Sequence, residues 1–304
     1  MHASRKPERG SEGPVIVRKR VGHSRPKTCG PVQDLERHVR RDWWRRLFNS
    51  LYLKTDGDVV ENHENTAREV DLLMQMAGLH PTDAILDLCC GQGRHCLELA
   101  KRGFSKITGL DQSRYLIGLA SRRAKREGLD IAFHQGDARR LRFLDASFDC
   151  VVLAGNSFGY FDAENDDQAV LQGARRVLRT GGRLALDLSD GEWIRDHFEP
   201  RSWEWIGKAA FVCRERSLSS DGSRLVCREV VTDVRRGVIA DQFYAVRLYS
   251  RRKLCQMLEQ ADFHTVRDHG AVATGSLRNQ DLGMMAHRFF ITAYTGESGA
   301  DRKA

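Results

Sequence analysis

Ala84-Ile85-Leu86-Asp87-Leu88-Cys89-Cys90-Gly91-Gln92-Gly93-Arg94-His95 places an apolar run, an acid and a turn of small residues in immediate succession. Leu97, Leu99 and Ala100 follow at helical spacing. A second apolar run, Ile107-Thr108-Gly109-Leu110-Asp111, ends in another acid 24 positions after Asp87. The pattern reads as a strand, a tight turn, a helix and a second strand. Gly91 and Gly93 let the backbone approach a ligand, and the carboxylate of Asp111 can accept hydrogen bonds from two ribose hydroxyls. A turn built for a dinucleotide pyrophosphate usually carries three glycines, and Asp87 at its start would repel a phosphate. An acid there suits a ligand with a cationic amine.

Further landmarks follow in order. Phe133-His134-Gln135-Gly136-Asp137-Ala138 ends a third strand with an acid, and Phe148-Asp149-Cys150-Val151-Val152-Leu153-Ala154 is an apolar fourth strand. It leads into the loop Gly155-Asn156-Ser157-Phe158-Gly159-Tyr160-Phe161. Ala174 to Gly182 gives a helix end and a glycine turn before a fifth strand at Arg183-Leu184-Ala185-Leu186-Asp187-Leu188. Any one of the acids would fit a cap or a turn. Three at the ends of three successive strands converge on the crevice where ligands bind a doubly wound sheet.

Together these motifs resemble the class I S-adenosylmethionine-dependent methyltransferases over roughly 110 residues. The resemblance implies an α/β fold, a doubly wound seven-stranded sheet of the Rossmann-like methyltransferase type, with S-adenosyl-L-methionine as cofactor. It assigns Asp87, Cys89, Gly91, Gly93, Asp111, Gln112, Asp137, Ala138 and Ala154 to cofactor binding. Asp137 would reach the adenine amino group and the Ala138 N–H a ring nitrogen. Cys89 stands where the family has its first glycine, which a small residue tolerates if its dihedrals are ordinary.

The net charge of +8 has a location. Residues 1–46 hold thirteen Lys and Arg against five Asp and Glu, so the remainder sums to zero. Residues 1–33, with four prolines among the charges, are predicted to form a disordered basic arm, and 295–304 a disordered tail. No apolar run reaches the ~18 residues of a membrane span, and the N-terminus lacks a signal-peptide core. A soluble, cytoplasmic protein is expected. The eight cysteines show no C-x-x-C pair, so no metal site is expected.

Between the arm and the first strand, residues 34–80 are predicted as a helical lid. Arg41 to Tyr52 carries bulky apolar groups at helical spacing, and a second helix is expected from about Asn65 to Gly78. Tyr52, Lys54 and His63 are candidates to touch substrate or cofactor, and Trp43 and Trp44 read as packing anchors. The methyltransferase domain is expected over 81–294. Inside it, 211–217, 224–232 and 242–249 alternate apolar with charged residues, an antiparallel meander expected as an inserted β cap at about 207–249. Similar small-molecule methyltransferases, resembling glycine N-methyltransferase, carry such a cap, which excludes water and favours a small acceptor.

Strand order puts Asn156 and Tyr160 on the acceptor side, and Tyr160, His197 and His63 are the available bases. The loop lacks the [DN]-P-P-[YF] pattern of enzymes that methylate exocyclic amines of nucleobases. The leading expectation is methyl transfer to an oxygen or nitrogen of a small molecule. The alternatives are an RNA or protein methyltransferase docking through the basic arm, and a non-catalytic binding module.

Overall fold

The computed structural model describes residues 30–272, 282–285 and 287–296. Most of the basic arm and of the C-terminal tail therefore lies outside the described residues. After a 3-10 turn at Glu36–His38 come three single-turn helices, α1 (Trp44–Leu47), α2 (Tyr52–Thr55) and α3 (Gly57–Val60). The continuous element expected over 41–52 is broken at Asn49. Its side chain donates to the Arg46 carbonyl (2.7 Å) and accepts the Leu51 N–H (2.7 Å), taking groups a helix would use. Helix α4 (His63–Met76) starts two residues before the expected Asn65, because Asn62 caps it through the Asn65 N–H.

The central sheet then alternates with helices: β1 (Ala84–Leu88), α5 (Arg94–Lys101), β2 (Lys106–Asp111), α6 (Arg114–Glu127), β3 (Ala132–Gln135), β4 (Phe148–Leu153), α7 (Glu164–Val177) and β5 (Leu178–Ser189). The glycine turn at 181–182 falls inside β5, at a register shift against β4. Helix α8 (Gly191–His197) leads to the cap strands β6 (Arg201–Ile206), β7 (Ala210–Leu218), β8 (Arg224–Asp233) and β9 (Gly237–Arg247). Then α9 (Arg251–Gln260), β10 (Thr265–Val272) and β11 (Arg288–Tyr294) complete the chain. The seven-stranded order is β10-β11-β5-β4-β1-β2-β3, with β11 antiparallel to both neighbours.

Strand side chains alternate between two faces, and both are covered. Leu86, Leu88, Val151, Leu153, Leu184 and Leu186 pack with α7 and α9. Ile85, Ile107, Cys150, Val152 and Ala185 pack with α4 and α5. The ends of β1, β2 and β4 therefore sit on a rigid two-sided core, which fixes the acids that follow them.

The cap forms a separate four-stranded antiparallel sheet, β6-β7-β8-β9, and begins at Arg201, before the expected 207. Strand β6 escapes the sequence pattern because its large rings face out. Trp203 and Trp205 are 66% and 51% exposed, while Glu204 turns inward to Arg214. The N-terminal segment packs on this sheet, Val32 and Leu35 against Val226 and Ala245, and Trp43 and Trp44 against Val246. Among the described residues no helix is long and apolar enough to cross a membrane.

Candidate active site

Two adjoining cavities, of about 170 Å³ and 90 Å³, open where the ends of β1, β2 and β4 meet the N-terminal segment and the cap. Phe48, Tyr52, Cys89, Gly91, Ser157 and Tyr160 line both, so they form one site with two halves. The smaller half holds Asp111, Gln112, Asp137 and Ala138 and the larger half Ala154, Asn156 and residues of the cap.

The turn after β1 keeps the glycine conformation without the glycine. Cys89 has φ +63°, in the left-handed region, so the condition of ordinary dihedrals is not met. A side chain in that region costs on the order of 1 kcal/mol, borne here by a turn held at both ends: the Cys90 N–H donates to Leu110 O (3.0 Å) and the Gly93 N–H to Cys90 O (2.9 Å). Gly91, at φ +55°, lies at the cavity wall, and an added Cβ would meet nothing closer than 3.9 Å. Gly93 differs. It lines neither half, and a Cβ there would come within 2.9 Å of the Phe133 ring and 3.0 Å of the Ala120 Cβ. The second glycine is required by strand–helix packing and by φ +75°, not by the approach of a ligand.

Asp111 is the best-placed acid. One carboxylate oxygen accepts the Gly91 N–H (2.9 Å) and the other the Ser113 N–H (2.7 Å). A carboxylate has about four acceptor positions, so each oxygen retains capacity for a hydroxyl. Burial pushes its pKa up to about 6 against the pull of those two backbone donors. Gln112 donates to Trp44 O (2.8 Å), which ties the N-terminal segment to the end of β2. Asp137 lies at the far wall, paired with Arg139 (2.7 Å). Burial acts against ionisation there, but the Arg139 hydrogen bonds hold the carboxyl below its usual range. Leu116 and Ala138 supply apolar wall. An acid for a ribose, a polar group beside a flat apolar slot and a turn with an accessible backbone fit the nucleoside of S-adenosylmethionine.

Asp87 lines neither half. It is buried below the turn, accepts the Cys96 thiol (3.2 Å) and has its pKa raised by burial, so it acts on the turn and not by direct contact. The cation of that region is Arg94, which lines the larger half next to Gly155 and is ion-paired with Glu69. Glu69 also accepts from His95 (2.9 Å) and Arg288 (2.9 Å), and Arg288 reaches Asp187. Burial pushes the Glu69 carboxyl up, but Arg94, His95 and Arg288 together hold it well below the carboxylate range. Asp187 in turn accepts the Gly155 N–H (3.1 Å). Arg94 and His95 flank the glycine turn and could have been singled out from it. Glu69 and Arg288 are 219 positions apart and give no local signal.

On the acceptor side, Asn156 and Tyr160 are brought together. Asn156 takes φ +58° and accepts the Ser189 N–H through Oδ1 (3.0 Å), and its carbonyl accepts the Tyr160 hydroxyl (2.6 Å). Burial raises the Tyr160 pKa well above the ordinary phenol value, which keeps the hydroxyl protonated as the donor to Asn156 O. Tyr52 joins them at the wall, packed edge-on against Phe48 (5.1 Å). Lys54 and His63 are exposed and line neither half. His197 also lines neither half: it stacks on Trp193 at 4.5 Å, and its Nδ1 donates to Trp193 O (2.9 Å) on the outer face of α8. The sequence reading missed the cap residues Arg214 and Glu229, paired at 3.0 Å and both buried, which form the roof.

Residues 85–182 match a protein family described as a methyltransferase domain. The 27-O-demethylrifamycin SV methyltransferase of Amycolatopsis mediterranei is 36% identical over 163 residues, 53% of this chain and 58% of that protein. The 2-phytyl-1,4-naphtoquinone methyltransferase of Synechococcus elongatus is 35% identical over 119 residues, 38% of this chain and 49% of that one. The chain spans about half the length of the curated relatives it matches. Among solved structures, an S-adenosylmethionine-dependent methyltransferase from Clostridium acetobutylicum superposes with TM-score 0.63 at 16% identity, covering 81% of this chain and 96% of the other. An amino pentose methyltransferase from Micromonospora echinaspora, with S-adenosylmethionine bound, gives TM-score 0.58 at 20% identity, over 82% and 98%.

Proposed function

We propose that this chain, which carries a class I S-adenosylmethionine-dependent methyltransferase domain, moves a methyl group from that cofactor to an oxygen or nitrogen of a small organic acceptor. The observation that carries the reading is the make-up of the larger half. The N-terminal segment and the cap meet over the strand ends, and both line that cavity with aromatic rings and buried polar groups.

Asp111 would take the ribose hydroxyls, and Asp137 with the Ala138 N–H the adenine edge. Arg94 would face the carboxylate of the amino-acid end, opposite Gly91. When bound, S-adenosylmethionine supplies a methyl group on a sulfonium, electrophilic without further activation. The work left to the chain is to hold an acceptor atom in line and to keep water out. Trp43, Tyr160 and Tyr244 would do the second, the Trp43 ring packing on Tyr160 at 5.3 Å and on Tyr244 at 5.7 Å. The Tyr160 hydroxyl, fixed on Asn156 O, positions this wall.

The relatives named for a rifamycin and for a naphthoquinone act on small organic molecules, which supports an acceptor of that size. Docking of RNA or protein would draw on the basic arm, outside the described residues. The test is incubation with methyl-labelled cofactor and fractionated cell extract. Label should enter the small-molecule fraction; label in RNA or protein alone would contradict the proposal.

A further inference from the structure

The wall of the larger half joins aromatic rings with acids. Trp43 packs against Tyr160 and Tyr244, and Phe48 stacks on Tyr160 at 5.6 Å. Asp56, at the junction of α2 and α3, lines the same cavity from the side opposite the cap. Its Oδ2 accepts the Thr55 hydroxyl (2.7 Å), and among the described residues no cation lies within ion-pair distance of it. Of the guanidiniums that line the cavity, Arg94 is ion-paired with Glu69, Arg214 is shared between Glu204 (2.6 Å) and Glu229 (3.0 Å), and Arg216 donates to Glu199 O (3.0 Å). Glu229 is further held by Gln242 (2.9 Å). Burial pushes the Glu229 carboxyl up, Arg214 opposes this and Asp56 adds to it. A carboxylate without a counter-cation among the described residues, in a space walled by π-faces, matches an organic cation.

Building on the methyl-transfer reading above, we propose that the acceptor is a small amine bound as its ammonium ion, held by Asp56 inside the aromatic wall, and that Asp56 takes the proton the nitrogen must lose. The amine lone pair then forms the N–C bond as the S–C bond breaks with its electrons left on sulfur. The methylated ammonium leaves with its remaining protons, and Asp56 returns the proton it took to water. Asp56 lines only the larger half, which would also take the amino-acid end of the cofactor at Arg94; we place Asp56 on the acceptor because it shares that half with the aromatic rings and the cap residues, whereas the acids that follow β2 and β3 lie in the other.

The test uses the full chain saturated with S-adenosylhomocysteine, which permits binding without turnover. Failure of S-adenosylhomocysteine to bind would remove the methyl-transfer reading and this inference with it. With the cofactor product in place, tetramethylammonium and benzylamine should quench Trp fluorescence, and tert-butanol and benzyl alcohol should bind about tenfold or more weakly. Asp56→Asn should abolish that preference and Asp56→Glu restore part of it, both leaving S-adenosylhomocysteine affinity unchanged. In turnover with labelled cofactor, amines should be methylated in preference to their hydroxyl counterparts, with an amine KM raised about tenfold or more by Asp56→Asn. Equal binding of amine and alcohol by the unaltered protein would overturn the inference while leaving methyl transfer intact. So would a loss in Asp56→Asn of affinity for S-adenosylmethionine but not S-adenosylhomocysteine, since the acid would then serve the sulfonium.

Discussion

The affinity for the cofactor should depend on pH through Asp111. Its carboxyl has a pKa of about 6 in the free protein because burial outweighs the Gly91 and Ser113 N–H donors. Ribose hydroxyls donate to the ionised form, so binding draws on it. With that pKa, about a tenth of the protein is competent at pH 5 and about nine-tenths at pH 7, so the Kd for S-adenosylhomocysteine should tighten by about tenfold over the interval. Stability of the free protein should move the other way. The folded pKa, about 6, is raised above the ordinary carboxyl value of 3.8. The contribution of this group is therefore fully present below pH 3.8 and lost as pH rises through about 6, up to about 3 kcal/mol at 1.36 kcal/mol per unit. Calorimetric titration from pH 5 to 8 measures the first effect and urea unfolding the second. Asp111→Asn should flatten the binding profile and weaken affinity by about 2–4 kcal/mol, since two charge-assisted bonds are lost. His95 also lines the site, so the flat profile of the variant is the control that assigns the slope. A Kd constant from pH 5 to 8, or a slope that survives in Asp111→Asn, would refute the reasoning.

Gly93→Val should cost fold and not only binding, because its Cβ would sit 2.9 Å from the Phe133 ring; a cooperative thermal transition unchanged from the parent would contradict this. Arg288→Met leaves Asp187 buried without its cation and should destabilise by about 3–5 kcal/mol in urea unfolding. Deleting residues 1–29 removes six net positive charges and none of the described residues that line the two cavities, so cofactor affinity and small-molecule turnover should be unchanged. Loss of turnover with cofactor binding intact would return the arm to the acceptor site.

What was legible in the sequence is what the chain places contiguously. The strand, turn and acid of β1 and the acid ending β2 are each a few residues long, and their chemistry is fixed by the strand end itself. Asp111 follows from that logic without knowledge of the rest of the fold. The reasons behind neighbouring residues do not. Gly93 is a glycine because of Phe133, forty positions on, and Cys89 can replace a glycine because hydrogen bonds at both ends of the turn hold it at φ +63°. His197 read as a base because it follows the fifth strand, yet the turn of α8 stacks it outward on Trp193. Strand β6 went unseen because its tryptophans face solvent, reversing the usual alternation.

The same distinction separates cofactor from acceptor. The cofactor half is assembled mainly from one sheet edge, where successive strands deliver one group each. The acceptor half is assembled from Asp56 in the N-terminal segment, Tyr160 after β4, and Arg214, Glu229 and Tyr244 in the cap, none of which is near another in sequence except within the meander. In the meander, Arg214 and Glu229 alternate with apolar residues as surface charges do, and only the pairing of β7 with β8 at Arg214↔Glu229 turns both inward under the N-terminal segment. A periodic strand pattern reports which residues share a face, but not which face another segment will cover. The residues proposed for the acceptor are therefore those whose burial depends on a contact between distant segments, and they become visible only when the cap and the N-terminal segment are seen to pack on each other.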